Sequence, residues 1–252
     1  MNNYLRAWGG RYLPAAAGAL LLLCVAKSYA APNINDFIAN KINSLQESIQ
    51  IVQADRSILG KMGRDFEMAY RFKRMTLSYM APNRLRLEGE IGITKAIYII
   101  NGEKRYFAIP KLGLKQKSKV GATPGTRQSL LDAGLLTPDA LIYLNADYLR
   151  TESCDGKSMP VFQLTYKGAN GDESKYIVWF DPQTHITARR EWVGESGRTK
   201  AIFLYTDPVE AAPGIWLPTK VEVEDGGGQV AAITTASRIK VNTDLSASLF
   251  DF

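Results

Sequence analysis

Residues 174–193 read Ser174-Lys175-Tyr176-Ile177-Val178-Trp179-Phe180-Asp181-Pro182-Gln183-Thr184-His185-Ile186-Thr187-Ala188-Arg189-Arg190-Glu191-Trp192-Val193, and this stretch decides the fold. Asp181-Pro182 is a turn signal, and it separates two β-rich runs, 174–181 and 185–193. Tyr176 to Phe180 is apolar without a polar break. A half-solvated antiparallel strand alternates apolar and polar residues, so an unbroken run implies that both faces are covered. A dry core, an outer layer of helices or a bound ligand would each satisfy that requirement. The same rhythm predicts strands near 147–153, 160–167, 199–206, 216–224 and 229–241. Asp155-Gly156, Asn170-Gly171, Gly194 to Gly197, Asp207-Pro208 and Gly226-Gly227-Gly228 supply the turns. With no helical repeat between them, βαβ crossovers are excluded and the sheet reads as antiparallel.

Upstream, Phe66, Met68, Tyr70 and Phe72 alternate with Glu67, Ala69, Arg71 and Lys73. That is the period of a strand with one apolar face. Past Arg74 the apolar set moves to Met75, Leu77 and Tyr79, a phase shift that predicts a bulge in one long, curved strand from residue 63 to 80. Leu85 and Leu87 alternate with Arg84, Arg86 and Glu88. Asn101-Gly102, between apolar runs at 96–100 and 106–109, is a strong hairpin signal. Ile38, Ile42, Leu45, Ile49 and Val52 recur at helical spacing and predict a helix over residues 33–57, packed on the sheet. Residues 110–137 break the pattern with four lysines at 111, 115, 117 and 119, then Gly121, Pro124, Gly125 and a short helical stretch near 128–133. They read as a long excursion off the sheet. The lysines suit a solvated loop, with anionic lipid headgroups as the functional alternative. About ten or eleven strands are expected, and a sheet that large curls or closes.

The first thirty residues read differently. Arg6 and Arg11 precede an apolar run from Ala15 to Ala26, and Ser28-Tyr29-Ala30 carries small residues where a signal peptidase cuts. The run is shorter than the roughly 20 residues of a spanning helix. Leu23 before Cys24 is too bulky for lipoprotein processing. The expectation is a signal peptide at 1–30, cleaved after Ala30 or Ala31, and a single domain over 31–252. Export removes three basic residues, leaving 28 basic against 25 acidic and a net charge of +3 instead of +6. That balance argues against a nucleic-acid partner.

Catalytic motifs are missing from the sequence. Cys154 and His185 are the sole cysteine and histidine after residue 30, too few for a Cys/His metal site. No Gly-x-Ser-x-Gly elbow accompanies His185. Gly156-Lys157-Ser158 lacks the upstream glycine of a phosphate loop, because Thr151 stands there. The expectation is a protein with no catalytic residues, no metal and no cofactor.

The order of segments resembles the outer-membrane lipoprotein carrier and lipoprotein-sorting (LolA/LolB-like) superfamily over about residues 34–252. The resemblance rests on the leading amphipathic segment, on Phe66-Glu67-Met68-Ala69-Tyr70-Arg71-Phe72-Lys73-Arg74, and on Ala81-Pro82-Asn83-Arg84-Leu85-Arg86-Leu87. It continues through Val178-Trp179-Phe180-Asp181-Pro182-Gln183-Thr184 and Trp216-Leu217-Pro218-Thr219-Lys220-Val221-Glu222-Val223. It implies a half-open antiparallel β-barrel, mainly β with α, whose concave face is covered by helices. It further implies a periplasmic carrier that binds acyl chains of lipoproteins or lipids without covalent chemistry. Inner-membrane donor and outer-membrane acceptor proteins would be its partners. A lipid-sensing module of an envelope stress pathway is the alternative on the same fold. The wall of the cavity is expected at Phe66, Met68, Tyr70 and Phe72, with Leu85, Leu87 and Trp179 beside them; the strand phase leaves the opposite face open as the inner one. In familiar carriers an arginine before the proline of the second strand helps hold the lid, whereas this chain has Ala81 there.

Overall fold

The alternation read from residues 147–241 becomes a sheet. The computed structural model describes residues 31–154, 156–168 and 171–252. The proposed signal sequence at 1–30 and the turn residues Asp155 and Asn170 lie outside the described residues. Among the described residues thirteen antiparallel strands form one sheet. They are β1 (Ser44–Ala54), β2 (Arg74–Met80), β3 (Arg84–Ile91), β4 (Thr94–Asn101), β5 (Lys104–Ile109) and β6 (Leu114–Lys119). After a long connection come β7 (Leu144–Cys154), β8 (Lys157–Tyr166), β9 (Lys175–Phe180), β10 (Thr187–Val193), β11 (Thr199–Ala212), β12 (Ile215–Asp225) and β13 (Val230–Val241). Three short helices interrupt them: α1 (Arg56–Met62), α2 (Arg64–Ala69) and α3 (Ala140–Tyr143).

The strand order is β6-β5-β4-β3-β2-β1-β13-β12-β11-β10-β9-β8-β7. Every neighbouring pair follows in sequence except β1 and β13, which bring the two ends of the sheet-forming chain together. The free edges are therefore β6 and β7, and residues 120–143 lead from one to the other. The barrel stays half open along that seam. On the β6 edge, Lys115, Lys117 and Lys119 are exposed, and charge of this kind blunts edge-to-edge pairing. The excursion off the sheet expected at 110–137 thus opens instead with a short 3-10 turn, Pro110–Leu112, and this edge strand, and leaves the sheet only after Lys119.

The two faces differ. On β9, Tyr176, Val178 and Phe180 face a cluster that includes Leu131 and Leu136 of the connection. Trp179 and Ile177 face the other way and pack with Met159 and Val161. The C-terminal residues cover part of that outer face, where Arg86 Nη1 donates to the Leu249 carbonyl at 2.9 Å and Phe252 stacks on Tyr106.

Two expected elements do not form as read. The helix over 33–57 is replaced by a 3-10 turn, Ile34–Phe37, and by β1. Leu45 and Ile49 are four residues apart, a spacing that shares a face on either a helix or a strand. The strand expected from 63 begins only at Arg74, because residues 56–69 fold into α1 and α2. Asp55 caps α1 by accepting from the Ser57 and Ile58 amides. Gly63, at φ 145°, separates the two helices in a conformation that side-chain-bearing residues avoid. Leu59, Met62 and Phe66 then recur at helical spacing and bury against Ala201, Ala231 and Ala232. Small residues on the sheet let the helix pair approach closely.

Candidate functional site

The inner face is where the sheet keeps its aromatic side chains, and the connection from β6 to β7 crosses it. Leu130, Leu131, Leu135 and Leu136 of that connection are at most 2% exposed. Ser129 and Asp132 form a capping box around the 3-10 turn Leu130–Ala133, which fixes the direction in which the leucines enter. Leu130 and Leu135 join Leu45, Leu77, Tyr79 and Leu217, while Leu131 and Leu136 join Phe162, Val178 and Phe180.

Five inner-face tyrosines, one each from β2, β4, β8, β9 and β11, tie the segment down by their hydroxyls. Tyr79 donates to Asp139 at 2.8 Å, Tyr98 to Gln128, Tyr166 to the Arg127 carbonyl at 3.4 Å and Tyr205 to the Leu131 carbonyl at 3.0 Å. The Tyr176 hydroxyl instead accepts from the Gly125 amide at 3.0 Å. Burial raises all five hydroxyls above the usual tyrosine range, Tyr98 and Tyr176 to about 12, so all five remain protonated at physiological pH. Tyr205→Phe is expected to cost about 0.5–1.5 kcal/mol, the net worth of one hydrogen bond, since the Leu131 carbonyl still accepts from the Gly134 amide at 3.1 Å. A urea midpoint that does not move would show that this tether contributes nothing.

Two ionisable groups share the same face. Arg190 is 2% exposed and donates from Nη1 to Asp132 at 2.7 Å. Its guanidinium lies 4.1 Å from the Phe203 ring centroid and 4.8 Å from that of Tyr176. Burial works against its charge, but Tyr205, Asp132 and Tyr176 outweigh it and hold the group above the usual arginine range. Glu47 is 3% exposed, and burial alone pushes its carboxyl up to about 7.

The sequence-predicted wall residues are placed as follows. Phe66 packs on Trp192 and Phe203 at ring distances of 5.5 and 6.4 Å, with Tyr70 in the same cluster. Phe72 is half-buried and lies close to Gly89 on β3. Leu85 is buried between Tyr79 and Ile100, its register partners, and Leu87 packs on the Leu77 cluster. Met68 lies on the exposed side of α2. Trp179 is separated from all of them on the outer face, where Arg150 and Arg189 cover its ring. Reasoning from sequence missed Arg190, Asp132 and the tyrosine set. The Ser129-x-x-Asp132 box before paired leucines was the available signal.

Between the connection and the sheet a cavity of about 20 Å³ remains near Tyr79, Leu85, Tyr143 and Tyr166, room for about one water molecule. At the β7 edge an open groove of about 480 Å³ runs past Ile34, Leu141 and Leu144. Among the described residues no three His, Cys, Asp or Glu side chains converge to hold a metal ion.

No protein-family profile matches the chain, and no curated sequence does. Solved structures do. A domain described as an outer membrane lipoprotein-sorting protein from Vibrio parahaemolyticus superposes with a TM-score of 0.61 at 10% identity, covering 86% of this chain and 93% of that one. A LolA superfamily protein from Nitrosomonas europaea gives 0.57 at 16% identity over 87% and 94%. A DUF1329 family protein from Desulfovibrio piger gives 0.52 at 13% identity over 86% and 92%. At these identities the likeness is one of fold. The resemblance read from the segment order holds at that level: the chain shares with these structures the fold of a half-open antiparallel β-barrel with helices.

Proposed function

We propose that this chain is a periplasmic carrier that binds lipids or lipoproteins by their acyl chains and conveys them toward the outer membrane. One observation carries the reading. The sheet does not close, and its apolar inner face is covered by a segment strung between its two free edges. Burying one leucine is worth about 1.5–3 kcal/mol, so the four plug leucines supply about 6–12 kcal/mol. A sixteen-carbon chain at about 0.8 kcal/mol per methylene supplies about 12 kcal/mol. The two are close enough that one can replace the other reversibly, as loading and unloading require.

In this reading Phe66, Tyr70, Phe72, Leu85 and Leu87 form the wall that meets the acyl chain, and the groove beside β7 is the entrance. Donor and acceptor proteins in the two membranes would hand cargo in and out. The work is non-covalent binding, without a cofactor, by a mature domain that follows a cleaved signal peptide. The fold shared with lipoprotein-sorting structures supports this reading.

The test is native mass spectrometry of protein purified from the cell envelope, paired with extraction of its lipids. The expected result is an N-terminus at Ala31 or Pro32 and a co-purifying acyl lipid. A lipid-free protein that also fails to bind a fluorescent fatty-acid probe would end the carrier reading.

A further inference from the structure

Arg190 is an unusual residue to find on an acyl-binding face. A buried guanidinium must be paired, and here its pairing is incomplete. Asp132 engages Nη1 through Oδ1 only, while Asp132 Oδ2 is turned to the Ser129 amide at 3.1 Å. Arg190 Nε is buried and has no hydrogen-bond partner among the described residues, and the same holds for Trp192 Nε1, two residues along the same face of β10. Two unpartnered N–H donors beside a fixed positive charge call for an acceptor with several oxygens. Asp132 itself is 41% exposed. The anion that now neutralises Arg190 thus belongs to the displaceable segment and lies within reach of solvent.

We propose that the Arg190–Trp192 face of β10 receives the anionic headgroup, a carboxylate or phosphate, of an acyl ligand, and that Asp132 holds this position until the ligand arrives. The inference rests on the carrier reading and names the class of cargo. The aromatic surround of Phe203, Tyr176 and Phe66 gives the first carbons of the chain an apolar bed. Because ligand and Asp132 compete for one cation, docking of the head would also release the turn that carries Leu130 and Leu131. Head binding and plug release are then two sides of one coupling, and each must favour the other.

The test uses the full chain and the fluorescent polyene cis-parinaric acid, alongside its uncharged methyl ester. A charge-assisted hydrogen bond is worth enough that the acid should bind about tenfold tighter than the ester. Asp132→Asn removes the competitor, and should tighten the acid about fivefold or more while moving the ester less than about twofold. Arg190→Gln should abolish the preference for the acid. Dodecanoate and dodecyl phosphate should displace the probe and dodecanol should do so far less well, and the ranking of the first two assigns the head. Equal binding of acid and ester, or equal tightening of both in Asp132→Asn, overturns the proposal and leaves the carrier reading standing. Should Arg190→Gln fail to fold, the Asp132→Asn comparison still decides. If neither acid nor ester binds, both readings fall.

Discussion

Phe180→Ala is expected to lower the free energy of unfolding by about 3–5 kcal/mol. Phe180 is fully buried, stacks on Phe37 at 5.3 Å and meets Phe162 edge-on at 5.9 Å. Removing its ring leaves a hole bounded by strands on one side and by Leu131 and Leu136 on the other. The strands cannot collapse into the hole, because their spacing is set by ladders on both flanks. The loss should therefore fall toward the upper end of the range. Phe37 also loses its stacking partner, so the N-terminal 3-10 turn should loosen together with the plug. Urea unfolding with an unchanged slope would record the effect. Val52→Ala, at a site 58% exposed, serves as the control and should stay within about 0.5 kcal/mol. A Phe180→Ala loss below about 1.5 kcal/mol would mean that this cluster is not close-packed.

The seven strands from β7 to β13 could be read because local chemistry and tertiary structure agree there. Asp181-Pro182 makes a turn, since Asp181 accepts from the Gln183 and Thr184 amides, and the apolar run beside it fills both faces of β9. The same run makes Trp179 look like a wall residue, whereas it lies on the outer face. An unbroken apolar strand gives no hint of which parity faces inward, and the outer cluster with Met159 and Val161 absorbs every second residue. Phe66 to Phe72 failed for a related reason. Met62, Phe66 and Tyr70 share a face in either a helix or a strand, and what decides the matter is Leu59, three residues before Met62, which only a helix aligns with them.

The candidate site was less legible than the fold. Its polar members come from distant parts of the chain: Arg190 and Asp132 are 58 residues apart, Tyr205 and Leu131 are 74 apart. Each taken alone looks like an ordinary surface or strand residue. Only the pairing of β1 with β13, which leaves β6 and β7 as edges, sends residues 120–143 across the inner face to meet them. That closure depends on β1, whose apolar spacing also fits a helix, so the position of the plug is hidden wherever β1 is.

The obstacle in β1 was Glu47, and it carries the second large expectation: Glu47→Gln should stabilise the protein by about 3 kcal/mol above pH 7. Glu47 shares a face with Leu45 and Ile49, opposite Leu77 on one neighbour and beside the irregular register of β13 on the other. A charge at that position hides the apolar alternation that marks a strand. Arg238 and Lys240 on β13 are exposed, and no charged group offsets the burial that moves the carboxyl from 4.5 up to about 7. In the unfolded chain Glu47 loses its proton near 4.5, in the fold near 7. Between those values the folded state holds the extra proton, so stability falls as pH rises and is lowest once both states are ionised. Glutamine keeps the shape without the charge. The two proteins should therefore be nearly equal near pH 4 and diverge through pH 5–7, reaching a gap of about 3 kcal/mol by pH 8. Subtracting one stability curve from the other removes the contributions of Asp181 and Glu88, whose carboxyls are held low by Lys157 and by Lys95 with Arg86 against their partial burial. A difference curve that stays flat from pH 4 to 8 would place Glu47 in water, and with it β1 away from the barrel interior.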